Sequence, residues 1–170
     1  MMKHLTLICL VSIVLGACSP SEKALAGHPN GMRKSEGAQN DHGKDGLWSF
    51  WNKEGQLTAQ GTYEDGKAMG LWTFWHKNGQ KAREGQYEYG SKEGLWRDWH
   101  ENGQALYEGK YEGDHRDGQW TAWHSNGQIK LGGEYKYGKR AGRWTERDDH
   151  GRKISEIEYK NGEEVQRTDF

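Results

Sequence analysis

Glycine returns every 24 residues through most of this chain, at Gly46, Gly70, Gly94, Gly118 and Gly142. Two positions after each comes a tryptophan: Trp48, Trp72, Trp96, Trp120 and Trp144. Three positions further stand Trp51, Trp75, Trp99 and Trp123, with Arg147 in the last copy. All nine tryptophans therefore occupy two phases of one period. The same register collects Gly55, Gly79, Gly103, Gly127 and Gly151, then Tyr63, Tyr87, Tyr111, Tyr135 and Tyr159. His28-Pro29-Asn30-Gly31 and Gly37 keep these phases and mark an upstream half-copy. A period this short leaves room for one small supersecondary unit per copy, so the fold is a stack of such units.

The unit reads as a β-hairpin. Leu71-Trp72-Thr73-Phe74-Trp75-His76 is rich in strand formers. Asn78-Gly79 follows, a pair suited to a two-residue type I′ turn. Asn102-Gly103 and Asn126-Gly127 repeat it, while Glu54-Gly55 and His150-Gly151 are weaker versions. A return strand runs from Gln80 to Tyr87, and a glycine-containing loop near Gly90 leads to the next copy. Such a turn would set Lys77 against Gln80, Trp75 against Ala82 and Trp72 against Gly85. The first tryptophan of a copy then faces glycine in four copies (Gly61, Gly85, Gly109 and Gly133), and Ile157 in the fifth. An indole laid across a strand glycine replaces the missing side chain. Alternation along the strand sends Trp72, Phe74 and Tyr87 to one face and Trp75 to the other.

Composition agrees with a thin, coreless architecture. The apolar fraction is 32%, below the roughly 45–50% of ordinary globular chains, and proline occurs only twice. Nine tryptophans and eight tyrosines argue against disorder. Formal net charge is −1, with both signs interspersed, so no electrostatic footprint for nucleic acid is present.

The run Gly70-Leu-Trp-Thr-Phe-Trp-His-Lys-Asn-Gly-Gln-Lys-Ala-Arg-Glu-Gly-Gln-Tyr87, continuing through a glycine loop to the next Gly-x-Trp, resembles the MORN repeat variant common in bacteria. Chains of that type are often described as YwqK-like antitoxins. The resemblance spans residues 28–170 and implies an all-β fold, an elongated single-layer antiparallel sheet of stacked 24-residue hairpins. It is far less specific for function, because a fold does not fix an activity.

The N-terminus carries a separate message. Lys3 and His4 precede an apolar run from Leu5 to Leu15, too short to span a bilayer and built like a secretory signal. It ends on Leu15-Gly16-Ala17-Cys18, which resembles a lipobox whose cysteine receives the lipid. Residues 1–17 are thus expected as a lipoprotein signal peptide and 18–27 as the lipidated Cys18 with a flexible tether. Residues 28–45 form a degenerate half-repeat, and 46–170 five full repeats. Ser19 after the cysteine points to the outer membrane of a diderm cell envelope. Cys9 would leave with the signal, so the mature chain would hold neither a free thiol nor a disulfide.

Little in the repeats suggests chemistry. His76, His100 and His124 share one phase, but copies two strands apart are about 9.5 Å from one another, too far to share a metal easily. Solvated strand-end histidines are expected instead, with no metal and no cofactor. Ser125 lies in a turn beside Asn126, and no buried base is expected to accompany it. Glu84 and Glu108 recur as charges on a sheet face. The chain is therefore not expected to be an enzyme. The first tryptophan row is expected to cover the sheet. The second, Trp51, Trp75, Trp99 and Trp123, lies among polar residues and is the candidate binding row. The expected partner is another envelope protein. A glycan or peptidoglycan ligand, or an immunity or antitoxin-type role, stands as the alternative. Attachment to the membrane would come through the N-terminal lipid.

Overall fold

A computed structural model describes residues 22–170; the signal segment and Cys18 lie outside the described residues. Thirteen strands follow one another: β1 (Glu22–Gly27), β2 (Arg33–Asn40), β3 (Gly43–Trp51), β4 (Leu57–Glu64), β5 (Lys67–Trp75), β6 (Lys81–Glu88), β7 (Ser91–Trp99), β8 (Ala105–Glu112), β9 (His115–Trp123), β10 (Ile129–Lys136), β11 (Lys139–Arg147), β12 (Lys153–Lys160) and β13 (Glu163–Asp169). They form a single open antiparallel sheet in sequence order. The all-β, single-layer architecture expected from the period is therefore the fold. The five full copies are the hairpins β3–β4 through β11–β12. Residues 22–27, expected as tether, instead pair with β2 as β1 and complete the half-copy into a hairpin.

The Asn-Gly turns differ from expectation, while the glycine-containing loop expected near Gly90 is present and proves to be the two-residue type. At Asn78-Gly79 only the glycine has positive φ (83°), and Gly79 N–H donates to His76 O at 3.0 Å. This is a type I turn closed by a left-handed glycine, a three-residue loop. Asn78 is held out of the left-handed region by other work: its Oδ1 accepts from Gln80 N–H at 3.0 Å, while its Nδ2 donates to Glu101 O in the next copy at 2.6 Å. The longer loop moves Trp75 opposite Lys81 rather than Ala82, which becomes an extra residue in the ladder. The two-residue turns with both central residues at positive φ lie at the other edge, as at Tyr89 (48°) and Gly90 (93°).

Deeper in the hairpin the register is as expected: Trp48, Trp72, Trp96 and Trp120 pair with Gly61, Gly85, Gly109 and Gly133, and Trp144 with Ile157. The rings themselves, however, point elsewhere. Trp96 lies over Gly85 of the preceding copy, so closely that a Cβ there would sit 2.1 Å from the indole. The same holds for Trp48 on Gly37, Trp72 on Gly61, Trp120 on Gly109 and Trp144 on Gly133. The cause is a bulge at every junction between hairpins. Glu84 pairs with Arg97 and Gln86 with Glu93, so Gly94, Leu95 and Trp96 together oppose Gly85. The bulge re-aims the indole backwards, and its N–H donates to Gln86 O at 3.0 Å. Equivalent bonds join Trp72 to Thr62 O, Trp120 to Lys110 O and Trp144 to Glu134 O. Tryptophan is thus a staple between copies, not within one.

Tyrosines from the return strands fill the spaces between these indoles. Trp72, Tyr87, Trp96, Tyr111, Trp120, Tyr135, Trp144 and Tyr159 alternate edge-to-face, with centroids 5.0–6.2 Å apart. Trp48 and Tyr63 extend the ladder towards the N-terminus. Each such pair contributes about 0.5–1.5 kcal/mol beyond area burial. The five indoles are at most 5% exposed and form the core of a sheet that, among the described residues, has no second layer.

Candidate functional site

The second tryptophan row lies outside this ladder. Trp51, Trp75, Trp99 and Trp123 are half-buried, and among the described residues none makes a ring-to-ring contact. A shallow depression beside Trp51 is shared with Leu47, Ser49 and Glu36, the face opposite Trp48, as strand alternation requires. Cations partly cover the rings: Arg33 lies 5.3 Å from the centroid of Trp51, and Lys81 lies 5.8 Å from that of Trp99.

The backbone of this row receives the histidines. His28 Nε2 donates to Trp51 O at 2.9 Å, His76 to Trp99 O at 2.8 Å, His100 to Trp123 O at 3.1 Å and His124 to Arg147 O at 3.0 Å. A carbonyl only accepts, so each ring carries its proton on Nε2. These histidines are half-buried links between copies, which corrects the expectation of free, solvated side chains. Asn30, Asn78, Asn102 and Asn126 make parallel links, each from Nδ2 to a turn carbonyl of the following copy at 2.6–2.8 Å.

Sequence reasoning missed a leucine row beside the second tryptophans. Leu47, Leu71 and Leu95 are 60%, 57% and 41% exposed and recur at the repeat period. In the last two copies the phase is taken by Gln119 and Arg143, so the apolar stripe stops after the third copy. The signal was available, one position before each first tryptophan, but exposure could not be read from it.

On the other face a cation row overlies the aromatic ladder. Lys44, Lys92, Arg116 and Arg140 share one phase, which Ala68 interrupts. Lys92 sits 4.7 Å from the Trp96 centroid and 4.8 Å from that of Tyr111, while Arg116 and Arg140 each lie 4.5 Å over Trp120 and Trp144. Arg116 donates to Tyr135 Oη at 3.0 Å, and Arg140 to Tyr159 Oη at 2.8 Å. None of the four forms an ion pair among the described residues. Burial against the rings pushes the Lys44 ammonium below the ordinary lysine value, and burial raises the Tyr63 and Tyr87 phenols.

Beside Arg116 and Arg140 a groove of about 300 Å³ opens, walled by Tyr107, Ala122, Leu131 and Tyr135 and bounded by Arg83. Arg83 is itself neutralised, gripping Asp98 through two bonds of 2.6 and 2.8 Å. The groove has a simple origin. Phe50 and Phe74 stack on Trp48 and Trp72 in the first two copies, but the same phase holds Asp98 and then Ala122. Removing the phenyl group leaves the space.

Asp148, Asp149 and His150 bring three potential ligand atoms within 4.8 Å of one another at the turn between β11 and β12. Asp148 is already committed, accepting from Arg152 Nε at 2.7 Å and from His150 and Arg152 backbone N–H groups. These bonds hold its carboxyl below the usual carboxylate range despite the opposing effect of burial. The cluster closes a turn.

Comparison with curated proteins finds no match. The family described as MORN repeat variant matches residues 44–65, 70–89, 92–112 and 116–137, which together are half of the chain. Each matched stretch falls on one of the hairpins β3–β4 to β9–β10, with its indole-over-glycine staple. On sequence and architecture together, this chain belongs to the MORN repeat variant family.

Proposed function

We propose that this protein is a non-enzymatic lipoprotein of the cell envelope, attached through Cys18, whose repeat array serves as a protein-binding or scaffolding surface. The observation that carries the reading is the row of exposed leucines, Leu47, Leu71 and Leu95, on a sheet whose core lies entirely on the other face. Apolar side chains in a regular row, flanked by half-exposed tryptophans, gain from being covered by a partner. The period places equivalent groups about 9.5 Å apart over several copies, which suits an elongated contact. Membership of a repeat family favours the same general role. A glycan would need open indole faces on which sugar rings could lie, and the cations over Trp51 and Trp99 oppose it.

Two measurements test this. Labelled palmitate should enter the full-length protein and fail to enter Cys18→Ser; labelling that survives the substitution removes the anchor from the proposal. Crosslinking in cells, read by mass spectrometry, should capture a specific envelope protein. That capture should be lost when Leu47, Leu71 and Leu95 are changed to Gln, and when Trp75, Trp99 and Trp123 are changed to Ala in variants with unchanged thermal unfolding. Muropeptide binding without any captured protein would replace the reading by the glycan alternative.

A further inference from the structure

The leucine row does not use the opposite face, where charge and shape coincide. We infer that the groove beside Arg116 and Arg140 binds an acidic segment of a partner protein, held in an extended polyproline II conformation with a carboxylate at every third residue. This rests on the reading of the array as a protein-binding surface and adds the chemistry of what is bound.

Charge points to an acidic ligand. Lys92, Arg116 and Arg140 stand in three consecutive copies and, among the described residues, form no direct ion pair, whereas the other face pairs its charges, as in Arg97 with Glu108 and Lys81 with Glu84. Of the carboxylates near these cations, Asp98 is held by Arg83, Glu146 accepts from Ser155 Oγ at 3.0 Å, Asp114 accepts from the Lys92 backbone N–H at 2.8 Å, and Glu164, close enough to feel the Arg140 charge, is paired with Arg167 at 3.0 Å. Preorganisation favours the same ligand. A guanidinium has five donor hydrogens in a fixed plane. Stacking on indole and bonding to a tyrosine hydroxyl lock that plane and leave further donors for a ligand. A carboxylate arriving there restricts no flexible side chain, which lowers the cost of binding.

Spacing chooses the conformation. Equivalent cations lie two strands apart, about 9.5 Å. A polyproline II chain has three residues per turn and rises about 3.1 Å per residue, so every third side chain returns to the same side after about 9.3 Å. A β-strand repeats its face after about 6.7 Å and falls out of step within one copy. The wall of the groove suits the rest of the segment. Ala122, Leu131 and the half-exposed ring of Tyr107 offer an apolar, partly aromatic surface to the residues between the carboxylates, as grooves that hold polyproline II segments do.

The test uses the full-length protein in detergent micelles and fluorescent peptides read by anisotropy. Four Glu-Pro-Pro units should bind, with affinity falling as sodium chloride is raised. Four Gln-Pro-Pro units should bind at least about tenfold more weakly, as loss of charge-assisted bonds requires. Four Glu-Pro units carry the same charge at the wrong spacing and should also be weaker. The double variant Arg116→Gln, Arg140→Gln should lose about tenfold, with the two lysine replacements keeping part of the affinity. Ala122→Phe leaves every cation in place and fills the groove with a side chain that this phase already accepts in Phe50 and Phe74; it should abolish binding. Equal affinity for the charged and neutral peptides, or for the two spacings, overturns the inference. So does binding of polygalacturonate in place of the peptide, since it makes the ligand a glycan. Peptide failure while crosslinking in cells still captures a partner sinks the groove alone; absence of any captured partner sinks the protein-binding reading itself.

Discussion

The first two full copies and the last two share a scaffold but not a surface. In both, indole lies on the glycine of the preceding copy and a tyrosine closes the gap, with the same edge-to-face geometry at Trp72–Tyr87 and at Trp144–Tyr159. Around that constant frame the exposed phases diverge. Copies one and two carry Phe50 and Phe74 over the ladder and Leu47 and Leu71 on the outside. Copies four and five carry Ala122 and Glu146 in the first place, Gln119 and Arg143 in the second, and arginines in place of Lys44 and Ala68. One end is apolar outside and filled inside; the other is polar outside and open inside. A period of 24 residues can thus separate stability from specificity by phase. The indole, its glycine and the closing tyrosine recur in nearly every copy, whereas the phases around them differ, including the Phe50 phase, which still touches Trp72 of the next copy.

The shared scaffold is tested most severely by Trp96→Ala and Trp120→Ala. Each should cost about 3–5 kcal/mol in urea unfolding, the range for removing a buried tryptophan, and the two values should be similar. A much smaller loss at Trp120 would show that the open end does not depend on the ladder. Gly85→Ala and Gly109→Ala come next, with about 1–3 kcal/mol or more of overpacking, because the added Cβ would stand 2.1–2.2 Å from an indole carbon. Phe74→Ala should cost about 1–2 kcal/mol for a half-buried ring, and a crystal structure of the variant should show the depression beside Phe74 deepened into the space that the ring filled. Asn102→Ala removes a turn bond and a link to Ser125 O, so about 1–2 kcal/mol is expected, while Glu54→Ala at the same phase should be near neutral. Smallest of all, Leu71→Gln should stay within about 0.5 kcal/mol, since its side chain is mostly in water. A larger loss there would mean that the leucine row supports the fold and is not a surface for a partner.

Several features are legible in the sequence because the repeat makes them redundant. Five matching copies identify the hairpin, and the Trp–Gly pairs give its central register even though the turn is not the two-residue type that Asn-Gly suggests. The difference at Asn78-Gly79 stays local because the added loop residue is absorbed by the bulge at Ala82 before the ladder reaches Phe74 and Arg83. Alternation alone separates Trp51, Trp75, Trp99 and Trp123 from the first row. Their contribution to cohesion is not visible in the sequence, because it comes through backbone carbonyls that no side-chain pattern reports. The histidine and asparagine links are equally hidden: a contact between residues 23 positions apart follows from how copies lean on one another.

The sequence by itself determined the unit, its five full copies and the central register of each hairpin, since each depends on short-range chemistry repeated at one interval: strand formers, turn glycines and alternation of faces. Only the tertiary structure decided how one unit meets the next. The bulge at each junction turns every indole onto its neighbour's glycine, and this direction depends on backbone geometry shared between two copies. The groove has the same origin. Ala122 becomes a wall, and Arg116 a fixed donor, only when Tyr135 and Leu131 of the adjacent strand are brought alongside Trp120 of their own.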